Sequence, residues 1–170
     1  MKWLLLALAV LIFLNFRHIL YFNIYTHSLP YGIYMRVKGS PQRDDFAATC
    51  LTSPIAEYGM NRGYLASGNC DTGTVAVLKK IKGLPGDRFV VKNNFLELNG
   101  HSYPIMGRDS NGRALKVFYN SSENVLNTGK YFLLSDFVKN SWDSRYWGPV
   151  SIAFLLKPLW VFEPYKTYDR

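Results

Sequence analysis

The chain has 170 residues, 48% hydrophobic and 16% aromatic, and its 20 Lys and Arg against 12 Asp and Glu leave a formal charge of +8. That length fits one domain with a real core, and the apolar content argues against disorder. The charge suits an anionic membrane surface or nucleic acid equally well, and solubility alone would also explain it.

The N-terminus reads "MKWLLLALAVLIFLNFRHILYFNIYTHS". Lys2 precedes an uncharged apolar block, Trp3 to Leu14; Asn15, Phe16, Arg17 and His18 follow, then an apolar and aromatic patch from Ile19 to Tyr25. At ~1.5 Å per residue, Trp3 to Phe16 falls short of a bilayer core of ~30 Å. Continued to Tyr25 the segment is long enough, provided Arg17 snorkels or faces protein. A cleaved signal peptide is the competing reading, but no small-x-small site follows the apolar block. The expectation is an uncleaved anchor over residues 1–25 and a single domain over 26–170. Lys2 on one side and Arg17 on the other leave the orientation open.

Pro30 and Gly32 in "SLPYGIYMRV" mark a turn, and Ile33 to Val37 reads as a strand. Phe46 to Leu51 is a short strand. Ser53-Pro54 starts a short helix to about Arg62, with Gly63 just past its end. Strands follow near Thr74–Ile81, Arg88–Val91 and Phe95–Leu98, the last two joined through "KNN", a hairpin signal. "NGHSYP" is a second turn, and 105–127 is irregular. Tyr131–Leu134 is a strand; Pro149–Leu156 and Leu159–Phe162 are closing strands separated by Lys157-Pro158. Many short strands with turn punctuation predict a mainly β domain with one or two small helices. Cys50 and Cys70 are the two cysteines, without a CxxC pair, so zinc is disfavoured. In an exported domain they would form a disulfide, in the cytosol two thiols, and the anchor favours the disulfide.

Three stretches could carry chemistry. In "VAVLKKIKGLPGD", Lys79 shares a strand face with Val75, Val77 and Ile81, while Lys80 and Lys82 share the other with Ala76 and Leu78. A lysine buried among apolar neighbours loses basicity from ~10.4 and can reach the roughly 7–8 that a general base needs. Lys80 and Lys82 read as solvated. Ser28 follows the apolar segment beside a stiffened turn and suits a nucleophile activated by a lysine. His27 beside it points the other way in an extended chain. In "KNSWDSRYWGPV", read as extended, Ser141, Asp143 and Arg145 share one face where a hydroxyl and a carboxylate would orient an amine. Each stretch alone also fits a structural role: an edge strand of solvated lysines, a polar boundary serine, a loop with an ion pair.

Taken in order, these pieces resemble bacterial type I signal peptidases, and within them the TraF-type peptidases of conjugative transfer. "SLPYGIY" resembles the nucleophile box and "VLKKIKGLPGD" the lysine box. "RGYLASGNC" with Cys50 resembles the family's Arg-Gly-Tyr-Leu and cysteine pair. "NGHSYP" and "DSNGRAL" resemble the segment between boxes, and "SWDSRYWGPV" the last box. The resemblance implies a signal-peptidase-like, LexA-like β domain preceded by a transmembrane helix. It implies Ser28 as nucleophile, Lys79 as general base and Asp143 as the acidic residue used in conjugative members. Ser141 is then the serine that hydrogen-bonds the lysine, Arg145 matches the box arginine, and Thr26 supplies an oxyanion donor with the Ser28 N–H. It also implies no metal or cofactor, a periplasmic domain on the bacterial inner membrane, and contact with inner-membrane lipids. The substrates implied are pilin or other secreted precursors with small residues before the cut. Either water or the substrate's own amine would resolve the acyl-enzyme, the second giving a cyclic pilin. A non-catalytic membrane-anchored assembly module and a basic DNA-binding domain are the other classes weighed. The chain has no nucleic-acid-binding motif, and nucleic acid is not an expected partner.

Overall fold

The structure, a computed structural model, describes residues 2–3, 19–24, 26–120 and 122–162. Ten strands in two sheets and two short helices are formed among them. The larger sheet runs in the order β1-β2-β10-β3-β4-β9 and the smaller in the order β7-β6-β5-β8. β1 is Leu20–Asn23, β2 Gly32–Val37, β3 Phe46–Thr49, β4 Val77–Gly83 and β5 Arg88–Lys92; β6 is Phe95–Leu98, β7 His101–Pro104, β8 Asn124–Val125, β9 Phe132–Leu134 and β10 Phe154–Val161. Helix α1 is Ser53–Asn61 and α2 is Ser144–Trp147.

Most of the expected anchor lies outside the described residues. Its last part is corrected: Leu20–Asn23 is not helical but pairs antiparallel with Gly32–Met35. The side chains alternate accordingly. Tyr21 packs on Phe154 with centroids 4.7 Å apart, while Phe22 is 61% exposed. Among the described residues, no helix is long and apolar enough to cross a membrane.

Local sequence accounts for several elements. Pro54 enters the first turn of α1, where a missing N–H costs nothing, and Gly63 follows the helix at φ +71°. Asn93 and Asn94 both adopt positive φ between Lys92 and Phe95, and Asn99-Gly100 does the same between Leu98 and His101. These are two-residue hairpin turns of the type that matches strand twist. The second hairpin makes "HSYP" a strand, β7, where the sequence reading has only a turn. The closing segment also differs. Phe154–Val161 is one strand running through Pro158, with a register shift between Pro158 and Trp160. Pro158 lies past the β3 pairing, which ends at Leu156, so its missing N–H falls on a free edge. Pro149–Ile152 forms no strand; Val150 makes only an isolated bridge to Tyr131. Gly32 is required where β10 crosses β2, since a Cβ there would meet the Trp160 carbonyl.

The two sheets close on Phe89, Leu96, Leu98, Leu126, Phe132 and Leu134. A second cluster, Leu29, Tyr34, Ala48 and Leu156, lies beneath the loop that follows β1. The expected disulfide is formed: Cys50 after β3 is bonded to Cys70 in the loop that leads into β4.

Candidate active site

The loop between β1 and β2 carries Ser28. Asn23, only 6% exposed, closes this loop from the end of β1. Its Nδ2 lies 3.1 Å from Thr26 O, 2.9 Å from Leu29 O and 3.1 Å from Pro30 O. Its Oδ1 accepts from Thr26 Oγ1 at 2.9 Å and from Thr26 N at 3.4 Å. Tyr34 donates its hydroxyl to Pro30 O at 2.6 Å, and Leu29 is fully buried. Ser28 is thus bracketed by fixed backbone on both sides. Sequence reading missed Asn23 because it sits in an aromatic run that resembles a membrane segment.

Strand β4 delivers the lysines as parity predicts. Lys79, Ile81 and Gly83 are buried, and Leu78, Lys80 and Lys82 are half-buried. Lys79 is 5% exposed. Burial pushes its ammonium down to about 8; the Asp143 carboxylate opposes that shift and the Arg145 guanidinium adds to it. Lys80 and Lys82 are not the freely solvated charges expected of them. Lys80 Nζ is 3.2 Å from Asp136, and Lys82 Nζ is 2.7 Å from Asp136 and 2.5 Å from Asp44.

The stretch 139–150 is not extended throughout. Asp143 ends the extended part and caps α2 by accepting from Arg145 N at 3.1 Å. The Arg145 guanidinium returns to the same carboxylate through two bonds of 2.8 Å. Its remaining donors reach Pro104 O, Lys139 O and Ser141 O. Both side chains are almost fully buried, at 4% and 0% exposure. A buried pair with this many hydrogen bonds is a rigid fixture, and removing one partner would strand the other's charge. Ser141 is buried, and its Oγ has no hydrogen-bond partner among the described residues.

Thr26, Ser28 and Lys79 line one cleft of about 650 Å³, together with Phe22, Leu78 and Trp142. The structure brings Ser28 and Lys79 to the same cleft without a hydrogen bond between them among the described residues. Such contacts often tighten only when substrate binds. Nor is the bond from Ser141 to Lys79 formed. Thr26 lines the cleft, but its hydroxyl proton is directed at Asn23. Along one wall, β4 pairs with β3 from Val77 to Lys80 but with β9 only from Lys80 onward. The backbone of 77–79 therefore offers a free strand edge toward the cleft. Among the described residues, no group of three or more His, Cys, Asp or Glu could hold a metal.

Residues 1–156 match the family described as "Signal peptidase, peptidase S26". The chain is 31% identical over 148 residues to the conjugal transfer protein TraF of Agrobacterium fabrum, covering 82% of this chain and 81% of that one. It is 28% identical over 141 residues to a plasmid transfer protein TraF of Escherichia coli, covering 79% of each. A crystal structure of a signal peptidase I from Enterococcus faecalis aligns with 70% of this chain and 98% of its own, at 24% identity and a TM-score of 0.39. A family match over most of the chain and a relative 31% identical across four fifths of it decide the assignment: this chain belongs to the signal peptidase S26 family and is a TraF-type member of it, a serine peptidase-type enzyme.

Proposed function

We propose that the protein is a membrane-anchored endopeptidase that cleaves pilin or other secreted precursors with Ser28 as nucleophile and Lys79 as base. The observation that carries this reading is Lys79: a lysine buried in a β-sheet, softened to about 8, that lines the same cleft as Ser28. A precursor peptide would add as a strand to the free edge of 77–79, which leaves its scissile carbonyl over Ser28. Neutral Lys79 takes the Ser28 proton as Oγ bonds to the carbonyl carbon. The Ser28 N–H and the Thr26 hydroxyl, rotated away from Asn23, hold the oxyanion, each donor contributing about 3 kcal/mol. Collapse breaks the C–N bond, and the leaving amine takes the proton from Lys79. Water, or the substrate's own amine in a cyclising variant, then attacks the acyl-enzyme and loses its proton to Lys79; the C–Oγ bond breaks and Lys79 returns that proton to Ser28 Oγ.

Asp143 and Arg145 set the potential around Lys79, and the buried Ser141 hydroxyl, without a hydrogen-bond partner among the described residues, would accept from the ammonium once it forms. The segment before Ile19, short for a full span, would anchor the chain in the inner membrane with Lys2 and Arg17 snorkelling to the two interfaces and the domain on the periplasmic side. Phe22, Ile33 and Trp160 stand side by side across β1, β2 and β10, with Phe22 and Trp160 61% and 64% exposed. Such a row suits the bilayer interface, and Phe22 also lines the cleft. Tyr21, turned into the core, does not serve there.

The test is incubation of the full chain in detergent with pilin precursors, comparing wild type, Ser28→Ala and Lys79→Ala. Cleavage by wild type alone supports the proposal; cleavage by folded Ser28→Ala refutes it. The mass of the product separates the two outcomes of deacylation, because a cyclic product is one water lighter than the linear one.

A further inference from the structure

We infer that Ser135 is a positioning residue that ties the nucleophile's own peptide to the Asp143–Arg145 pair. The inference rests on Ser28 and Lys79 acting as proposed above. Ser135 follows directly after β9, the strand beside the lysine strand in the sheet. Its side chain and backbone reach in two directions. The hydroxyl donates to Ser28 O at 2.9 Å, a contact between residues 107 apart in sequence. Its backbone N–H donates to Asp143 Oδ2 at 3.1 Å. One residue thereby spans the nucleophile loop and the carboxylate that acts on Lys79.

The geometry explains why this contact bears on rate. Asn23 holds the carbonyls of Thr26, Leu29 and Pro30 and leaves the Ser28 carbonyl to another donor. Ser135 supplies it. The Ser28 carbonyl sets the plane of the Ser28–Leu29 peptide, and with it the direction in which Cβ and Oγ leave the chain. The position of Ser135 is fixed in turn. Phe137 N donates to its Oγ at 3.2 Å, and the next residue, Asp136, is gripped by both Lys80 and Lys82. The serine is therefore the end of a rigid turn, pinned to β4 by the two lysines that follow the base in the same strand.

The hydroxyl and the backbone N–H are separable by mutation. Ser135→Ala removes the bond to Ser28 O and keeps the bond to Asp143; Ser135→Thr keeps both. Wild type, Ser28→Ala, Ser135→Ala, Ser135→Thr and Asp143→Asn, as full chains in detergent, would be assayed on a peptide with alanine at the first and third positions before the cut. Amide hydrogen exchange of residues 26–30 would be followed alongside. Ser135→Ala should lower kcat at least fivefold, roughly tenfold as expected for a slightly misplaced nucleophile. KM and the pH midpoint should stay put, and exchange in 26–30 should speed up. Ser135→Thr should restore both rate and protection. A kcat within fivefold of wild type, unchanged exchange, a moved pH midpoint, or equal impairment by alanine and threonine overturns the inference. Activity in folded Ser28→Ala, or none in wild type, overturns instead the reading on which it rests, and the exchange comparison still decides whether Ser135 holds the loop.

Discussion

Replacing Lys79 with methionine should stabilise the protein while abolishing its activity. The unfolded lysine keeps its proton up to its ordinary 10.5, and the folded one only up to about 8. Between those values the unfolded state holds more protons, so the contribution of Lys79 to stability rises with pH and is least favourable below 8. The shift corresponds to about 3 kcal/mol of destabilisation at pH 7 and about 1 kcal/mol at pH 9.5. Methionine is of similar length, fills the same space beside Ile81 without a charge, and removes that penalty. The shift already includes the attraction of Asp143, so that loss is not counted again. Denaturant unfolding of both proteins at pH 7 and 9.5 measures the difference. The reasoning predicts Lys79→Met more stable by about 3 kcal/mol at pH 7, with the gap shrinking to about 1 kcal/mol at pH 9.5. A methionine variant less stable at pH 7, or a gap that does not change with pH, would refute it.

Further outcomes follow from the same geometry. Cleavage, measured as kcat/KM against pH, should rise with a midpoint near 8 as Lys79 loses its proton, and Asp143→Asn should move that midpoint downward because the carboxylate favours the ammonium. Asn23→Ala frees the carbonyls around Ser28; it should cost about 1–3 kcal/mol of stability, seen in denaturant unfolding. It should also lower kcat by roughly tenfold or more. Cys50→Ser with Cys70→Ser opens a link between residues 20 apart and should cost about 3 kcal/mol. Hydrogen exchange in 71–79 should then quicken, since the bridged loop leads straight into the lysine strand.

The sequence revealed most where chemistry is local. Strand parity alone separated Lys79 from Lys80 and Lys82, because side chains in a strand alternate whatever surrounds them. The Asn93-Asn94 hairpin, the turn at Asn99-Gly100 (though not the strand that follows it), α1 with Pro54 and Gly63, and the cysteine pair were legible for the same reason: each turn, helix end or redox context restricts its own residues. Long-range contacts were not legible. Asn23 was hidden in an apolar run and is explained only by the loop it closes. Ser135 carries no pattern of its own, since its partners lie 107 residues upstream and 8 downstream. The turn into α2 was missed because Asp143 caps a helix of four residues, too short to give a helical period. Pro158 argued for a break, but tertiary pairing with β2 carries the strand through it.

The central claim is that Ser28, activated by Lys79, forms a covalent intermediate with the substrate. Rapid acid quenching of the enzyme during turnover of a precursor, then proteolysis and mass spectrometry, tests this directly. An acyl adduct on the peptide containing Ser28, absent from Lys79→Ala, is the predicted result. An adduct on another residue, or full turnover by Ser28→Ala, would contradict the account.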